Sequence, residues 1–107
     1  ITSGDDSMTL PLMSIGGVGV ISVLSNLLPG KVSEMVKLFA KSDLIGAAQI
    51  HHDVFALSKS LFLDGNPVGI KHAMKLAGLD TGELRLPLVE ANEATKKAIE
   101  DAVKPFL

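Results

Sequence analysis

The stretches Ile1-Thr2-Ser3-Gly4-Asp5-Asp6 and Gly16-Gly17-Val18-Gly19-Val20-Ile21-Ser22-Val23 decide the fold. The second holds a short β-branched run without polar alternation, the pattern of a parallel strand covered on both faces. The first opens, without an initiator Met, on a β-branched pair that runs straight into a turn, and it reads as a strand cut partway along. Between them, Ser7 to Ile15 carries Met8, Leu12 and Ile15 at helical spacing, with acidic residues where a helix N-terminus favours them. Gly16 and Gly17 end that helix. Strand, helix, strand is a βαβ unit, whose crossover is right-handed in nearly every known case. Two parallel strands cannot stand alone, so the chain is expected to be a fragment of a larger α/β protein.

Beyond Val23 the pattern is helical throughout. Val32, Met35, Val36 and Phe39 form one apolar stripe. Leu44, Ala47, Ile50, His51, Val54, Leu57, Ser58 and Leu61 form a second, so two amphipathic helices follow each other. Ser42-Asp43 supplies N-cap chemistry for the second of them. Asp64-Gly65-Asn66-Pro67 ends it and opens a third helix, with Asn66 as cap and Pro67 at the first helical position. Gly78 closes the third. Residues 79 to 91 are irregular, because Pro87 in Arg85-Leu86-Pro87-Leu88 is incompatible with a central strand. Asn92 caps a last helix with Ile99, Ala102, Val103 and Phe106 inward and Glu93/Lys97 and Glu100/Lys104 as outward pairs.

Bulk properties narrow the function classes. The 107 residues carry a formal net charge of −2, and the ten Lys and Arg residues are spread out without aromatic residues to stack bases, which argues against a nucleic-acid partner. There is no cysteine, hence no disulfide, thiolate nucleophile or thiolate metal site. The longest apolar run, Ile15 to Leu28, is broken by glycines, serines and Asn26, so no membrane span is expected from it. A metal at His51, His52 and Asp53 is disfavoured, since neighbouring helical positions point about 100° apart. His51 is better placed as a helix-packing residue, and His72 has no second ligand four residues away.

The segments Ser3-Gly4-Asp5-Asp6 and Gly19-Val20-Ile21-Ser22-Val23, with Ser25-Asn26 after the latter, resemble the seventh and eighth strands of the dihydrodipicolinate synthase and N-acetylneuraminate lyase superfamily. Leu61-Phe62, Asn66-Pro67-Val68-Gly69-Ile70-Lys71 and Leu84-Arg85-Leu86-Pro87-Leu88 are similar to its post-barrel segments, in the same order. Each motif alone is weak, but their ordered conjunction covers nearly the whole chain. The arginine-proline segment favours the synthase branch.

The resemblance implies an α/β fold: the last two βα units of a TIM (β/α)8 barrel in residues 1–43, then a C-terminal helical region in 44–107. It also implies a homotetramer of the cytoplasm, or of the plastid in a plant. The implied chemistry is a class I aldolase reaction without a cofactor. Pyruvate forms a Schiff base on a lysine, and its enamine adds to aspartate β-semialdehyde to give 4-hydroxy-tetrahydrodipicolinate. Such a site needs a desolvated amine and a proton shuttle. The family's lysine and tyrosine lie upstream, and this chain has no tyrosine, so no catalytic residue is assigned within it and alone it should be inactive.

What remains is the barrel rim, where such sites lie. The resemblance makes Gly4 and Ile21 substrate contacts through their backbone groups, with Asp5 beside them. For Gly4, the competing reading is a turn glycine. For Asp5 and Asp6, it is ordinary capping, which fits at least one of the pair. Met8, Met13, Met35, Phe39, Phe55 and Phe62 are assigned to core or subunit contacts. Two other functions stay open: a different pyruvate-dependent aldolase or lyase of the superfamily, and a non-catalytic helical interaction module.

Overall fold

A computed structural model describes all residues, Ile1–Leu107. The element order is a 3-10 turn Asp6–Met8, α1 (Thr9–Ser14), a 3-10 turn Leu24–Asn26, α2 (Pro29–Ala40), α3 (Leu44–Ser60), α4 (Val68–Leu76), α5 (Glu93–Val103) and a final 3-10 turn Lys104–Phe106. No helix is long and apolar enough to cross a membrane. The chain divides into two compact units, Ile1–Phe55 and Ala56–Leu107, with α3 contributing to both.

In the first unit α1 and the Leu24–Asn26 turn pack on α2. Met13, Leu24, Leu27, Val32 and Met35 are buried, and Val36 and Phe39 are half-buried, so the α2 stripe forms as expected. The first helix differs from its expected form. It begins as a 3-10 turn and runs for only two short pieces, so a 3.6-residue projection from Ser7 falls out of phase. Ser7, Thr9 and Met13 turn inward, whereas Met8 is 45% and Ile15 81% exposed.

Helix ends follow local chemistry. At the end of α1 the Gly16 N–H reaches the Met13 carbonyl (3.2 Å) and the Gly17 N–H the Leu12 carbonyl (2.8 Å), the paired closure of a Schellman motif. Gly16 has φ 104°, a conformation that costs a side-chain-bearing residue about 1–2 kcal/mol. The same closure ends α2 at Ser42 and Asp43, with Ser42 at φ 65°, and ends α4 at Gly78 and Leu79. Asp43 then starts α3, its Oδ1 accepting from the Gly46 N–H at 2.9 Å. Ala47, Ile50 and Val54 of the α3 stripe are buried, while Leu44 is exposed. His51 is half-buried, its ring centroid 5.5 Å from that of His52 and 5.5 Å from that of Phe55.

In the second unit α4 packs against α5 over Leu57, Leu61, Val68, Ile70, Ala73, Ile99 and Val103, all buried. Asn92 caps α5 as expected, its Oδ1 accepting from the Thr95 N–H at 2.8 Å. The Asp64 carboxylate accepts from both the Asn92 N–H (2.7 Å) and its Nδ2 (3.1 Å), tying the end of one helical segment to the start of another. Asn66 does not cap α4. Pro67 stands at the cap position after a cis Asn66–Pro67 bond, with no side-chain cap, and the helix starts at Val68. Phe55 and Phe62 are exposed, so neither fills the core.

The expected outward pairs of α5 re-sort. Asp101 takes both Lys97 (3.1 Å) and Lys104 (3.2 Å), and Glu93 takes Lys96 (3.2 Å), because three- and four-residue neighbours compete on an exposed face. Glu100 instead lies 3.5 Å from His72 Nε2 of α4, within ion-pair reach but without hydrogen-bond geometry.

Gly69 is demanded by packing. A Cβ there would stand 2.1 Å from the Leu61 carbonyl oxygen, so α4 passes the end of the preceding helix at backbone contact. Gly69→Ala is therefore expected to cost about 2–3 kcal/mol, seen as a lower urea midpoint, whereas Gly30→Ala, with open space around its position, should leave the midpoint level or raise it.

A second expectation concerns pH. Burial, with His52 adjacent, holds the His51 imidazolium below the ordinary histidine range. The folded chain therefore binds that proton less readily than the unfolded chain, and stability falls as pH drops through about 6.5. The drop in urea midpoint between pH 7.5 and 5.5 should be smaller in His51→Gln than in the parent.

Candidate functional site

The residues expected at the rim lie where two extended segments run side by side. Ser3 and Val20 form a parallel bridge: the Ser3 N–H donates to the Gly19 carbonyl and the Ile21 N–H to the Ser3 carbonyl, each at 2.8 Å. The Val18 N–H also reaches the Ile1 carbonyl at 2.9 Å. One residue separates the accepting carbonyls of Ile1 and Ser3, but two separate the donating amides of Val18 and Ile21. This extra residue interrupts the ladder, so the expected strand over Val18 to Val23 reduces to a single bridge.

Both edges of this pair are open. Thr2 and Val20 make no backbone hydrogen bond, because their N–H and C=O groups point away from the shared seam. Side chains alternate as they do along strands. Thr2, Val18, Val20 and Ser22 line a groove of about 470 Å³ with Pro29, Val32, Ser33 and Val36 of α2. None of Gly4, Asp5 and Ile21 lines it. Ile21 is 74% exposed, and no group of the chain donates to its carbonyl.

Gly4 follows the bridge directly and is exposed. Its φ is not in the left-handed region, and a Cβ built on it would meet nothing within 4 Å. Neither backbone conformation nor packing within this chain therefore requires glycine there, which weakens the turn-glycine reading. Asp5 behaves as a cap. Its Oδ1 accepts from the Ser7 N–H (2.8 Å) and the Ser7 Oγ (2.7 Å), while its own N–H and C=O meet the buried Ser3 Oγ at 3.1 and 2.7 Å. The expected substrate contact at Asp5 is thus engaged inside the chain.

Asp6 does something sequence reading missed. Its buried carboxylate reaches 16 to 18 residues ahead, Oδ2 accepting from the Val23 and Leu24 N–H groups at 2.9 Å each and Oδ1 from the Ser22 hydroxyl. Ser22 Oγ in turn accepts from the Ser25 N–H at 2.8 Å, and the Ser25 hydroxyl donates to the Ser22 carbonyl at 3.0 Å. A carboxylate inside a protein is tolerated when charge-assisted donors replace its water. Asp6 therefore caps a distant turn, whereas Asp5 caps its own. The only sequence signal is the placing of Asp5-Asp6-Ser7 after the first extended segment and of Ser22 and Ser25 after the second.

The chain shows no group of three His, Asp or Glu side chains close enough to hold a metal ion. Its nine lysines lie on helices or directly at their ends; Lys37 of α2, which is exposed, reaches the groove beside the bridged segments. In the second unit a concavity of about 400 Å³ has His72, Lys75 and Lys96 in its wall, but the Lys96 ammonium is held by Glu90 (3.0 Å) and Glu93 (3.2 Å). What the first unit offers is two exposed residues, Gly4 and Ile21, directly after the bridged positions Ser3 and Val20.

Known proteins resemble this chain over nearly its whole length. A 4-hydroxy-tetrahydrodipicolinate synthase of Endomicrobium trichonymphae is 45% identical over 106 residues, covering 99% of this chain and 36% of the relative. The structure of the 4-hydroxy-tetrahydrodipicolinate synthase of Methylacidiphilum fumariolicum SolV superposes with a TM-score of 0.94 at 39% identity, over 97% of this chain and 35% of that one. A chloride-inhibited dihydrodipicolinate synthase of Acinetobacter baumannii, complexed with pyruvate, superposes at 0.89 with 32% identity, over 96% and 35%. The chain thus spans about a third of the length of the proteins it matches. The profile of the dihydrodipicolinate synthetase family matches residues 1–105, and the chain belongs to that family.

Proposed function

We propose that this chain is the closing part of a class I aldolase barrel that condenses pyruvate with aspartate β-semialdehyde to 4-hydroxy-tetrahydrodipicolinate. In this reading residues 1–43 supply the seventh and eighth strands with their helices, and 44–107 form the helical region that follows. The observation that carries it is the bridged pair with both edges open: the free backbone groups of Thr2 on one side and Val20 on the other suit an interior wedge of a larger parallel sheet. The names of the relatives supply the reaction.

The mechanism divides between two pieces of polypeptide. The Schiff-base amine must be buried and largely deprotonated, and no lysine here meets that need. The upstream barrel portion supplies the lysine and the tyrosine shuttle. This chain supplies the neighbouring rim, where the Gly4 backbone and the Ile21 carbonyl face the pyruvate pocket, with Asp5 beside them. Gly4 suits this because no side chain blocks approach to its main chain, and nothing inside the chain explains its lack of one. Assembly into a homotetramer in the cytoplasm, or in the plastid of a plant, belongs to the same reading.

Co-expression of this chain with the upstream barrel portion of a relative should give a borohydride-trappable pyruvate adduct on that upstream portion. Gly4→Val, whose Cβ meets no atom of this chain within 4 Å, should reduce trapping at sub-saturating pyruvate by about tenfold or more. Failure of the parent pair to trap pyruvate, once shown to assemble, contradicts the proposal.

A further inference from the structure

We infer that Asp6 is a positioning residue for the substrate rim: its carboxylate sets the turn at Ser22–Leu24 and thereby the placement of Ile21 opposite Gly4. This rests on the proposed function and adds a residue whose side chain makes no contact with substrate.

The geometry carries it in three steps. Ile21 is followed at once by Ser22, Val23 and Leu24, the three residues that donate to Asp6. Ser3 and Gly4 lie just before Asp6 in the chain, and the Ser3 carbonyl accepts the Ile21 N–H. The Gly4 and Ile21 rim is therefore enclosed in a loop of contacts with the Ser3–Ile21 hydrogen bond at one end and the Asp6 carboxylate at the other. The interrupted ladder leaves that bridge little support of its own, since only one further bond, from Val18 to Ile1, accompanies it beyond the Ser3 pair.

Three donors converge on two oxygens, and a carboxylate can accept all of them. An amide in its place can accept at one oxygen only and turns an N–H₂ toward the Ser22 hydroxyl. Asp6→Asn keeps the size of the side chain and one acceptor oxygen for the Val23 and Leu24 amides, but the Ser22 hydroxyl loses its acceptor and the charge assistance is gone, which loosens the Ser22–Leu24 turn.

The test uses the complete enzyme assembled from this chain and the upstream barrel portion. A displaced rim weakens pyruvate binding while leaving the amine and shuttle in place, because those groups sit on other strands. Asp6→Asn is expected to raise the KM for pyruvate about tenfold with kcat within about threefold, and to leave borohydride trapping intact at saturating pyruvate. Ser22→Ala, which removes one donor to Asp6 and the acceptor of the Ser25 N–H but keeps the carboxylate with two amides, is expected to raise KM about threefold in the same direction. A folded Asp6→Asn enzyme with unchanged pyruvate KM overturns the inference, as does a fall in kcat with KM unmoved. If Asp6→Asn does not assemble, Ser22→Ala decides, and an unchanged KM there overturns it equally. Lack of a trapped adduct in the unsubstituted enzyme contradicts the proposed function instead, so the two failures are distinct.

Discussion

A carboxylate removed from water costs several kcal/mol unless donors meet it, and Asp6 is met by the Ser22 hydroxyl and the Val23 and Leu24 amides. Those three bonds close the longest loop of the first unit that any side chain closes. They bring the residues after the first extended segment against the residues after the second. The other local devices there act over two or three positions: the Ser3 hydroxyl on Asp5, Asp5 on Ser7, the Thr9 hydroxyl on the Asp6 carbonyl, Ser22 on Ser25. Each tightens a turn, and Asp6 joins the two turns.

The second unit uses a different economy of contacts. Its core is aliphatic, with Leu57, Leu61, Ile99 and Val103 almost wholly enclosed, and Gly69 lets α4 approach the preceding backbone. Charges stay outside, where Lys71 pairs with Asp80 at 3.2 Å and hydrogen bonds from the Gly82 N–H and from Lys71 hold the Asp80 carboxyl below the usual carboxylate range. Exposed pairs of this kind contribute little to stability. Packing of α4 on α5, together with the Asp64–Asn92 contact, holds this unit.

Local chemistry was legible in the sequence and long-range chemistry was not. The glycine closures after α1 and α4, the Asp43 start of α3, the Asn92 cap and the inward faces of α2, α3 and α5 each depend on residues within about one turn of each other. Where the chain left ideal periodicity, reading failed. The 3-10 opening through Asp6–Met8 shifted the buried face from Met8 and Ile15 to Ser7, Thr9 and Met13. A single extra residue near Val18 and Gly19 reduced a strand to a bridge. At the rim, the adjacency of Gly4 and Ile21 follows from the βαβ reading, whereas the role of Asp6 depends on a partner 16 to 18 residues distant that no spacing rule announces.

The division of labour that follows is simple in physical terms. In the proposed reading, reactive groups come from another stretch of polypeptide, and this one contributes an exposed backbone rim whose position depends on the buried Asp6 carboxylate. Amide hydrogen exchange on the Asp6→Ala chain tests that dependence most directly. The account predicts that the Ser3 and Ile21 amides lose protection together with those of Val23 and Leu24, while the α5 amides keep theirs. Protection at Ser3 and Ile21 that survives the loss of the carboxylate would contradict it.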